Sequence, residues 1–345
     1  MQLAIQSRYQ SGTYGEKGSR ASLAMSQLLL LKSRKRWGIM YMLATVSGLF
    51  VPIGGILSSV EDHFVSSLMT ILLQFLPLVA APFLIVTGMY VLNDLVDAEL
   101  DKSSGKKRPI SSGQVTKAQA LLFVIMTSAI GVILALITFN LPSIIIVLTI
   151  IAIGLMYSAP KICLKDRFVL KTASIAVTSM LCLMLGSSYA FTNTNSMIHH
   201  SFNYNTVSSL NSRILACTYA ALMSGSIIFI TSLLNDLGDV RGDRAFGRRT
   251  IPVVIGKKNT VILTMIISAN MIVISWISFY LLPSNIGLIS PILVSLVAFM
   301  AAIKMANILK HLSDCEFIRK QHKKSMSWHL ILQTALIVGG LLFWL

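Results

Sequence analysis

Two short acidic segments carry the residue pattern best able to do chemistry in this chain. One covers residues 93–101 and the other covers residues 235–243, and both read N-D-x-x-D-x-x-x-D. Together they contain seven of the thirteen acidic residues of the chain. If both segments are helical, the three aspartates that share this spacing lie within about 60° of one another around the helix axis. Each segment then presents three carboxylates on one face.

Such carboxylate faces are typical of divalent cation sites. A donor set made only of oxygen favours Mg²⁺, which binds a few carboxylates together with substrate phosphates. The predicted metal ligands are Asn93, Asp94, Asp97, Asp101, Asn235, Asp236, Asp239 and Asp243. The asparagines either bind metal or hydrogen-bond the helix, and Glu99 lies off the shared face.

The predicted catalytic residues are four of these aspartates, Asp94, Asp97, Asp236 and Asp239. If the two faces oppose each other, their cations would hold a diphosphate. They would also stabilise the negative charge that develops on a leaving group, which favours heterolysis of an allylic C–O bond.

Basic residues follow each acidic segment, and a third basic patch covers residues 156–165. The predicted diphosphate-binding residues are Lys102, Arg108, Tyr157, Lys165 and Arg244. Lysine and tyrosine at such places are also ordinary anchors at a membrane interface, and basic loops are also topology signals. The third patch is therefore weak when taken alone.

The elements that must position these residues are long apolar segments. The chain is 54% hydrophobic and 12% charged, with a mean hydropathy of +0.74, whereas soluble domains carry about 25% charged residues. We therefore predict an all-α polytopic membrane protein with nine transmembrane helices. The predicted spans are roughly 37–59, 67–92, 118–138, 142–159, 168–190, 213–235, 259–282, 286–303 and 328–345.

The distribution of basic residues predicts the orientation. If the nine spans alternate, 28 of the 29 Lys and Arg residues lie at one face of the membrane, with Arg213 as the exception. Basic loops favour the cytoplasmic side, so the N-terminus and both acidic segments are predicted to be cytoplasmic. The net charge of +16 is then explained by the enrichment of Lys and Arg in cytoplasmic loops and by an anionic substrate. We expect no nucleic acid and no obligate protein partner.

The chain is predicted to contain one membrane domain over residues 37–345. Residues 1–36 are basic, contain serine and are poor in acids, and we predict a disordered cytoplasmic tail. A transit peptide is the alternative reading of such a segment. If residues 1–36 are a cytoplasmic tail, we expect the protein in the cell membrane. If they are a transit peptide, we expect it in an organelle membrane.

The three motifs resemble those of the UbiA superfamily of intramembrane prenyltransferases over roughly residues 35–345. The resemblance rests on residues 93–101 with 107–113, on 157–160 with Leu164-Lys165, and on 236–243 with Gly247, Thr250, Pro252 and Gly256. It implies nine helices around a central cavity. It also implies Mg²⁺-dependent transfer of a polyprenyl group from its diphosphate to an acceptor nucleophile, with the acids binding Mg²⁺ and the basic and tyrosine positions contacting the diphosphate.

Within the superfamily, the second motif looks most like three groups. These are the archaeal geranylgeranylglyceryl-phosphate transferases, the chlorophyll synthases and the homogentisate transferases, which implies a geranylgeranyl-type donor and a lipid or aromatic acceptor. Two departures bear on the acceptor. Many members carry Gly-Asn where this chain has Leu170-Lys171, and Asn where it has Lys107.

Two alternatives remain open at this point. A terpene cyclase of the same fold would use the same acids on a donor without an acceptor. A cation transporter would place its acids in the middle of the spans, whereas these acids lie at span ends beside basic loops that repel cations. A structural scaffold does not explain why the motif occurs twice.

Overall fold

The computed structural model describes residues 22–57, 64–103, 107–198, 206–282 and 286–341. Those residues form helices joined by short connections, and no strand occurs among them. The predicted all-α fold is therefore confirmed. The helices are α1 (Leu23–Leu57), α2 (Phe64–Val96), α3 (Ala98–Ser103), α4 (Lys117–Leu136), α5 (Leu141–Ser158), α6 (Phe168–Ile198), α7 (Thr206–Ala245), α8 (Ile251–Ile255), α9 (Lys257–Leu281), α10 (Ile289–Leu309) and α11 (Cys315–Leu341), with a short 3₁₀ helix at Leu164–Asp166.

Seven helices in the described part of the chain are long and apolar enough to cross a membrane, namely α2, α4, α5, α6, α7, α9 and α10. They make the protein an integral, multi-pass membrane protein. The two other long helices, α1 and α11, each carry a run of basic residues in the N-terminal half. The predicted number of nine spans is therefore not confirmed.

Helix α1 begins earlier than the predicted membrane domain. It starts at Leu23, so residues 23–36, which were expected to belong to a disordered tail, form a helical extension. Residues 1–21 of that predicted tail lie outside the described residues. The extension packs Leu30 into a small apolar cluster with Val91, Val115 and Phe123. This packing holds the extension against the C-terminal end of α2, which we predict to be cytoplasmic.

Helices α1 and α6 pack with their backbones in close contact. A Cβ atom at Gly48 would overlap the carbonyl oxygen of Leu183, and one at Gly186 would overlap that of Thr45. Small residues allow such close approach between membrane helices. This contact holds α6 against α1, and the first turn of α6 follows the third basic patch.

Helix α7 forms much of the centre of the bundle. Its large apolar side chains, including Met223, Ile227 and Leu234, are fully buried, and it packs on α6, α9 and α11. The helix continues without a break to Ala245. The whole second acidic motif is therefore helical and stands at one end of the most buried helix.

Candidate active site

The first acidic motif keeps its aspartates on one face across a short irregularity. Asp97 lies between α2 and α3, yet its backbone N–H donates to the Asn93 carbonyl at 2.9 Å, and the N–H of Asp101 donates to the Asp97 carbonyl at 2.8 Å. Helical hydrogen bonding therefore continues through the motif. The Arg108 guanidinium confirms the shared face, because its Nη1 contacts Asp94 and lies 2.7 Å from Asp101 Oδ2.

Arg34 and Lys165 also pair with acids of this motif. Arg34, from the helical extension of α1, donates to Asp94 through Nε at 2.6 Å. Lys165, in the 3₁₀ helix, donates from Nζ to Asp97 Oδ1 at 2.8 Å and to Asn93 Oδ1 at 3.3 Å. Lys165 is only 4% exposed. A buried lysine at this place is held by its paired carboxylate.

The second acidic motif has the same arrangement with different partners. Lys171, in the first turn of α6, donates from Nζ to Asp236 Oδ1 at 2.7 Å and lies 4.0 Å from Asp243 Oδ2. Thr250 Oγ1 donates to the same Asp243 oxygen at 3.2 Å. Arg319 of α11 donates to Asp239 Oδ1 at 2.8 Å on the exposed side of the motif.

Arg248 joins the two motifs and the third basic patch. The chain leaves α7 through Gly247, whose φ of 69° is readily available only to glycine, and the Arg248 N–H donates to the Asp243 carbonyl at 2.8 Å. The guanidinium then reaches Asp97 and Asp166, each at 3.0 Å. Burial opposes its charge, but the three carboxylates Asp97, Asp166 and Asp243 outweigh burial and raise the pKa of Arg248.

An apolar cavity lies beside these charges. Asn93 of the first motif lines it together with three tyrosines, Tyr41, Tyr90 and Tyr157. The remaining lining is mainly apolar and comes from α2, α5 and α6: Val86, Met89, Ile150, Ile153, Gly154, Ser174, Ile175 and Thr178. The charged cluster therefore borders the apolar cavity, because Asn93 belongs to both. A molecule with an anionic head and a hydrocarbon tail fits this arrangement.

Residues 42–331 match the family model of the UbiA prenyltransferase family. The chain belongs to this family. The predicted family is thereby confirmed, and so is the prediction of a prenyltransferase.

Two relatives of this UbiA-family protein are digeranylgeranylglyceryl phosphate synthases. The protein of Korarchaeum cryptofilum is 29% identical over 198 residues, which cover 56% of this chain and 60% of the relative. That of Sulfolobus acidocaldarius is 26% identical over 239 residues, which cover 67% of this chain and 77% of the relative.

The fold is also similar to a solved structure, a UbiA homologue from Archaeoglobus fulgidus bound to GPP and Mg²⁺. The two structures have a TM-score of 0.56 and 14% sequence identity, and the match covers 90% of this chain and 99% of the other. At this identity, the likeness shows the common fold alone.

The residues of this UbiA-family site fit Mg²⁺ by donor type. Every acid of both motifs offers carboxylate oxygens, and the buried Oδ2 of Asp236 has no hydrogen-bond partner, which is costly unless a cation or donor binds there. No group of three His, Cys, Asp or Glu side chains converges in the described part of the chain. The metal would therefore have to take its remaining ligands from a substrate or from water, as Mg²⁺ does.

The structure brings most predicted site residues into one network, but not all. Asn93, Asp94, Asp97, Asp101, Arg108, Lys165, Asp236, Asp239 and Asp243 are all held in it by the contacts above, and Tyr157 lines the cavity. Lys102, Arg244 and Asn235 are exposed. Among the described residues, neither Lys102 nor Arg244 pairs with an acid.

Sequence reasoning missed four cations that the network contains: Arg34, Lys171, Arg248 and Arg319. Arg34 lay in the expected tail, and Lys171 was noticed only as a departure from the family pattern. Glu99 pairs with Lys117 on the exposed surface at 3.1 Å. That pair agrees with the expectation that Glu99 lies off the shared face.

Proposed function

We propose that this prenyltransferase carries out Mg²⁺-dependent transfer of a geranylgeranyl-type group from its diphosphate to a lipid acceptor in the membrane. The observation that carries the proposal is the meeting of both acidic motifs at Arg248, against an apolar cavity. The names of the two relatives support a glycerophosphate lipid as the acceptor. The solved homologue with GPP and Mg²⁺ supports the donor class and the metal.

The polar half of the site would bind the diphosphate. Arg108 and Lys165 would donate to its oxygens, since guanidinium and ammonium groups form short, strong hydrogen bonds to phosphate. The acids of both motifs would hold Mg²⁺, and Mg²⁺ when bound would neutralise the charge that grows on the departing diphosphate. Asp94, Asp97, Asp236 and Asp239 would be the principal ligands, with Asn93, Asn235, Asp101 and Asp243 in support.

The apolar half would control the allylic cation. The bond between the first prenyl carbon and the diphosphate oxygen breaks, and its electron pair leaves with the diphosphate. The acceptor oxygen then forms a new bond to that carbon and loses its proton. Tyr41, Tyr90 and Tyr157 would stabilise the cation with their ring faces and keep water out of the cavity. Without water, the acceptor is the nucleophile that captures the cation.

The orientation belongs to the same proposal. Lys165, Arg248 and Lys171 are grouped with both motifs at one end of the bundle, and loops rich in basic residues stay on the cytoplasmic side. We place the N-terminus and the active site on that side, where a water-soluble cation such as Mg²⁺ reaches the acids directly.

The test is product formation by purified protein in detergent. Geranylgeranyl diphosphate is supplied with and without Mg²⁺, and geranylgeranylglyceryl phosphate, homogentisate or a chlorophyllide is added singly. The Asp97→Asn variant, whose activity we expect to be strongly reduced, is the control. We expect Mg²⁺-dependent diphosphate release only with the glycerophosphate, together with a product of the summed mass less diphosphate.

Other outcomes each contradict part of the proposal. Release with an aromatic acceptor alone would overturn the lipid acceptor. Release with no acceptor would indicate a cyclase, and release without Mg²⁺ would overturn the metal requirement. No release in any reaction would contradict the proposed donor.

A further inference from the structure

Lys171 is the most enclosed cation at the second motif. Its side chain is 11% exposed and that of Asp236 is 1% exposed, and it comes from the first turn of α6, the helix packed tightly on α1. Its Nζ lies 2.7 Å from Asp236 and 4.0 Å from Asp243. One ammonium group therefore stands between the first and the last aspartate of the motif.

That location is where a cation shared by those two carboxylates would bind. An ammonium group and a divalent ion repel each other strongly at such separations, above all in a poorly hydrated site. The second oxygen of Asp236 is buried without a hydrogen-bond partner, so Lys171 satisfies only part of that carboxylate. One ammonium group therefore offsets part of the negative charge of the motif, and one carboxylate oxygen of Asp236 stays available to a metal ion.

Arg108 and Arg319 have more freedom than Lys171 to turn towards a diphosphate, whereas Lys165 at the first motif is enclosed at least as tightly as Lys171. The Arg108 side chain is 28% exposed and that of Arg319 is 61% exposed. Lys171 has no comparable access to water. Its ammonium group can leave Asp236 only if another anion enters the site and replaces that carboxylate as its partner.

We propose that Lys171 is a positioning residue that serves as an internal counter-ion of the second motif and couples divalent cation binding there to the arrival of the diphosphate. Without diphosphate, Lys171 weakens metal binding to Asp236. With diphosphate present, the ammonium group donates to a phosphate oxygen and leaves the carboxylates to the metal. The inference rests on the proposed function, because it takes the diphosphate as the substrate.

The test measures Mn²⁺ binding by electron paramagnetic resonance, with geranylgeranyl thiodiphosphate as the stable donor analogue. In Lys171→Asn we expect metal affinity in the absence of the analogue to rise about tenfold. Asparagine removes the charge and keeps a polar side chain beside Asp236. Lys171→Arg keeps the charge and should bind Mn²⁺ as the parent protein does, and Lys161→Gln, an exposed neighbour, is the matched control.

Lys171→Met gives a second neutral variant, with folding of all variants checked by gel filtration and thermal unfolding. Equal Mn²⁺ affinity in the parent protein and in either neutral variant would overturn the inference. The parent protein provides a further check, because equal affinity with and without the analogue would also contradict it. If no variant binds Mn²⁺ even with the analogue, the proposed function fails instead.

Discussion

The two acidic motifs are built alike, and they differ in how their cations are held. In the first motif, Arg108 contacts both Asp94 and Asp101. In the second, Lys171 takes the same place between Asp236 and Asp243. The common spacing of seven residues puts each pair of acids on one helix face, so one cation spans each pair.

The difference lies in the middle aspartates. Asp97 is 13% exposed and pairs with both Lys165 and Arg248, whereas Asp239 is 30% exposed and pairs with Arg319 at the surface. The first motif is thus enclosed at its middle aspartate and has a partly exposed bridging arginine, while the second is more open at its middle aspartate and has a buried bridging lysine. Equal spacing gives each motif a face of the same shape, and the neighbouring parts of the chain supply each face with different cations.

The largest expected effect comes from Asp97, where cations from two other parts of the chain meet. Replacing Asp97 by Asn removes the charge that Lys165 and Arg248 share, and it removes a proposed metal ligand. We expect kcat/KM for prenyl transfer to fall by about 10²- to 10³-fold. Steady-state kinetics measures this loss. Glu99→Gln, an exposed neighbour on α3, is the matched control, and similar activity of the two variants would refute the role of Asp97.

Arg108 is expected to have the next largest effect. Arg108→Gln removes a charged donor proposed for the diphosphate, so KM for the prenyl diphosphate should rise about 10- to 100-fold, with kcat changed less. The adjacent, exposed Lys107→Gln serves as its control. An unchanged KM would mean that Arg108 does not bind the diphosphate and serves only as a basic residue that favours the cytoplasmic side.

Arg248 tests whether the motifs act together. We expect Arg248→Gln to lower kcat/KM by about three- to tenfold, because Lys165 still pairs with Asp97 when Arg248 is lost. The exposed Arg249→Gln should show parent activity. If the two variants have the same kcat/KM, the contact between Arg248 and the first motif is not needed for activity.

The smallest effect is expected at Arg319. Its pair with Asp239 is exposed, and exposed ion pairs contribute about 0.2–1 kcal/mol. Arg319→Gln should therefore lower kcat/KM by less than about fivefold. A loss as large as that of Arg108→Gln would mean that the open middle of the second motif binds substrate directly.

The acids of this candidate site could be predicted from the sequence, because those of each motif lie within nine consecutive residues. Acids are rare in the chain, with thirteen in 345 residues, so two copies of one spacing stand out. The helical face follows from that spacing alone. The all-α membrane fold follows from apolar segments in the same local way.

The cationic half was not predictable, because its contacts join distant segments. Arg34 lies 60 residues from Asp94, Arg319 lies 80 from Asp239, and Arg248 lies 151 from Asp97. With 29 basic residues in the chain, no spacing selects the ones that pair. Lys102 and Arg244 each follow directly after a motif in sequence, yet both are exposed and neither pairs with an acid in the described part of the chain.

If the two motifs act on one bound diphosphate, the effects of substitutions in the two motifs on its binding are coupled, and a double-mutant cycle measures that coupling. Binding of geranylgeranyl thiodiphosphate with Mg²⁺ would be measured by titration calorimetry for the parent protein, Asp97→Asn, Asp239→Asn and the double variant. Shared ligand contacts predict that the two losses couple by about 1 kcal/mol or more. Losses that add to within about 0.3–0.5 kcal/mol would contradict the account, because independent sites behave in that way.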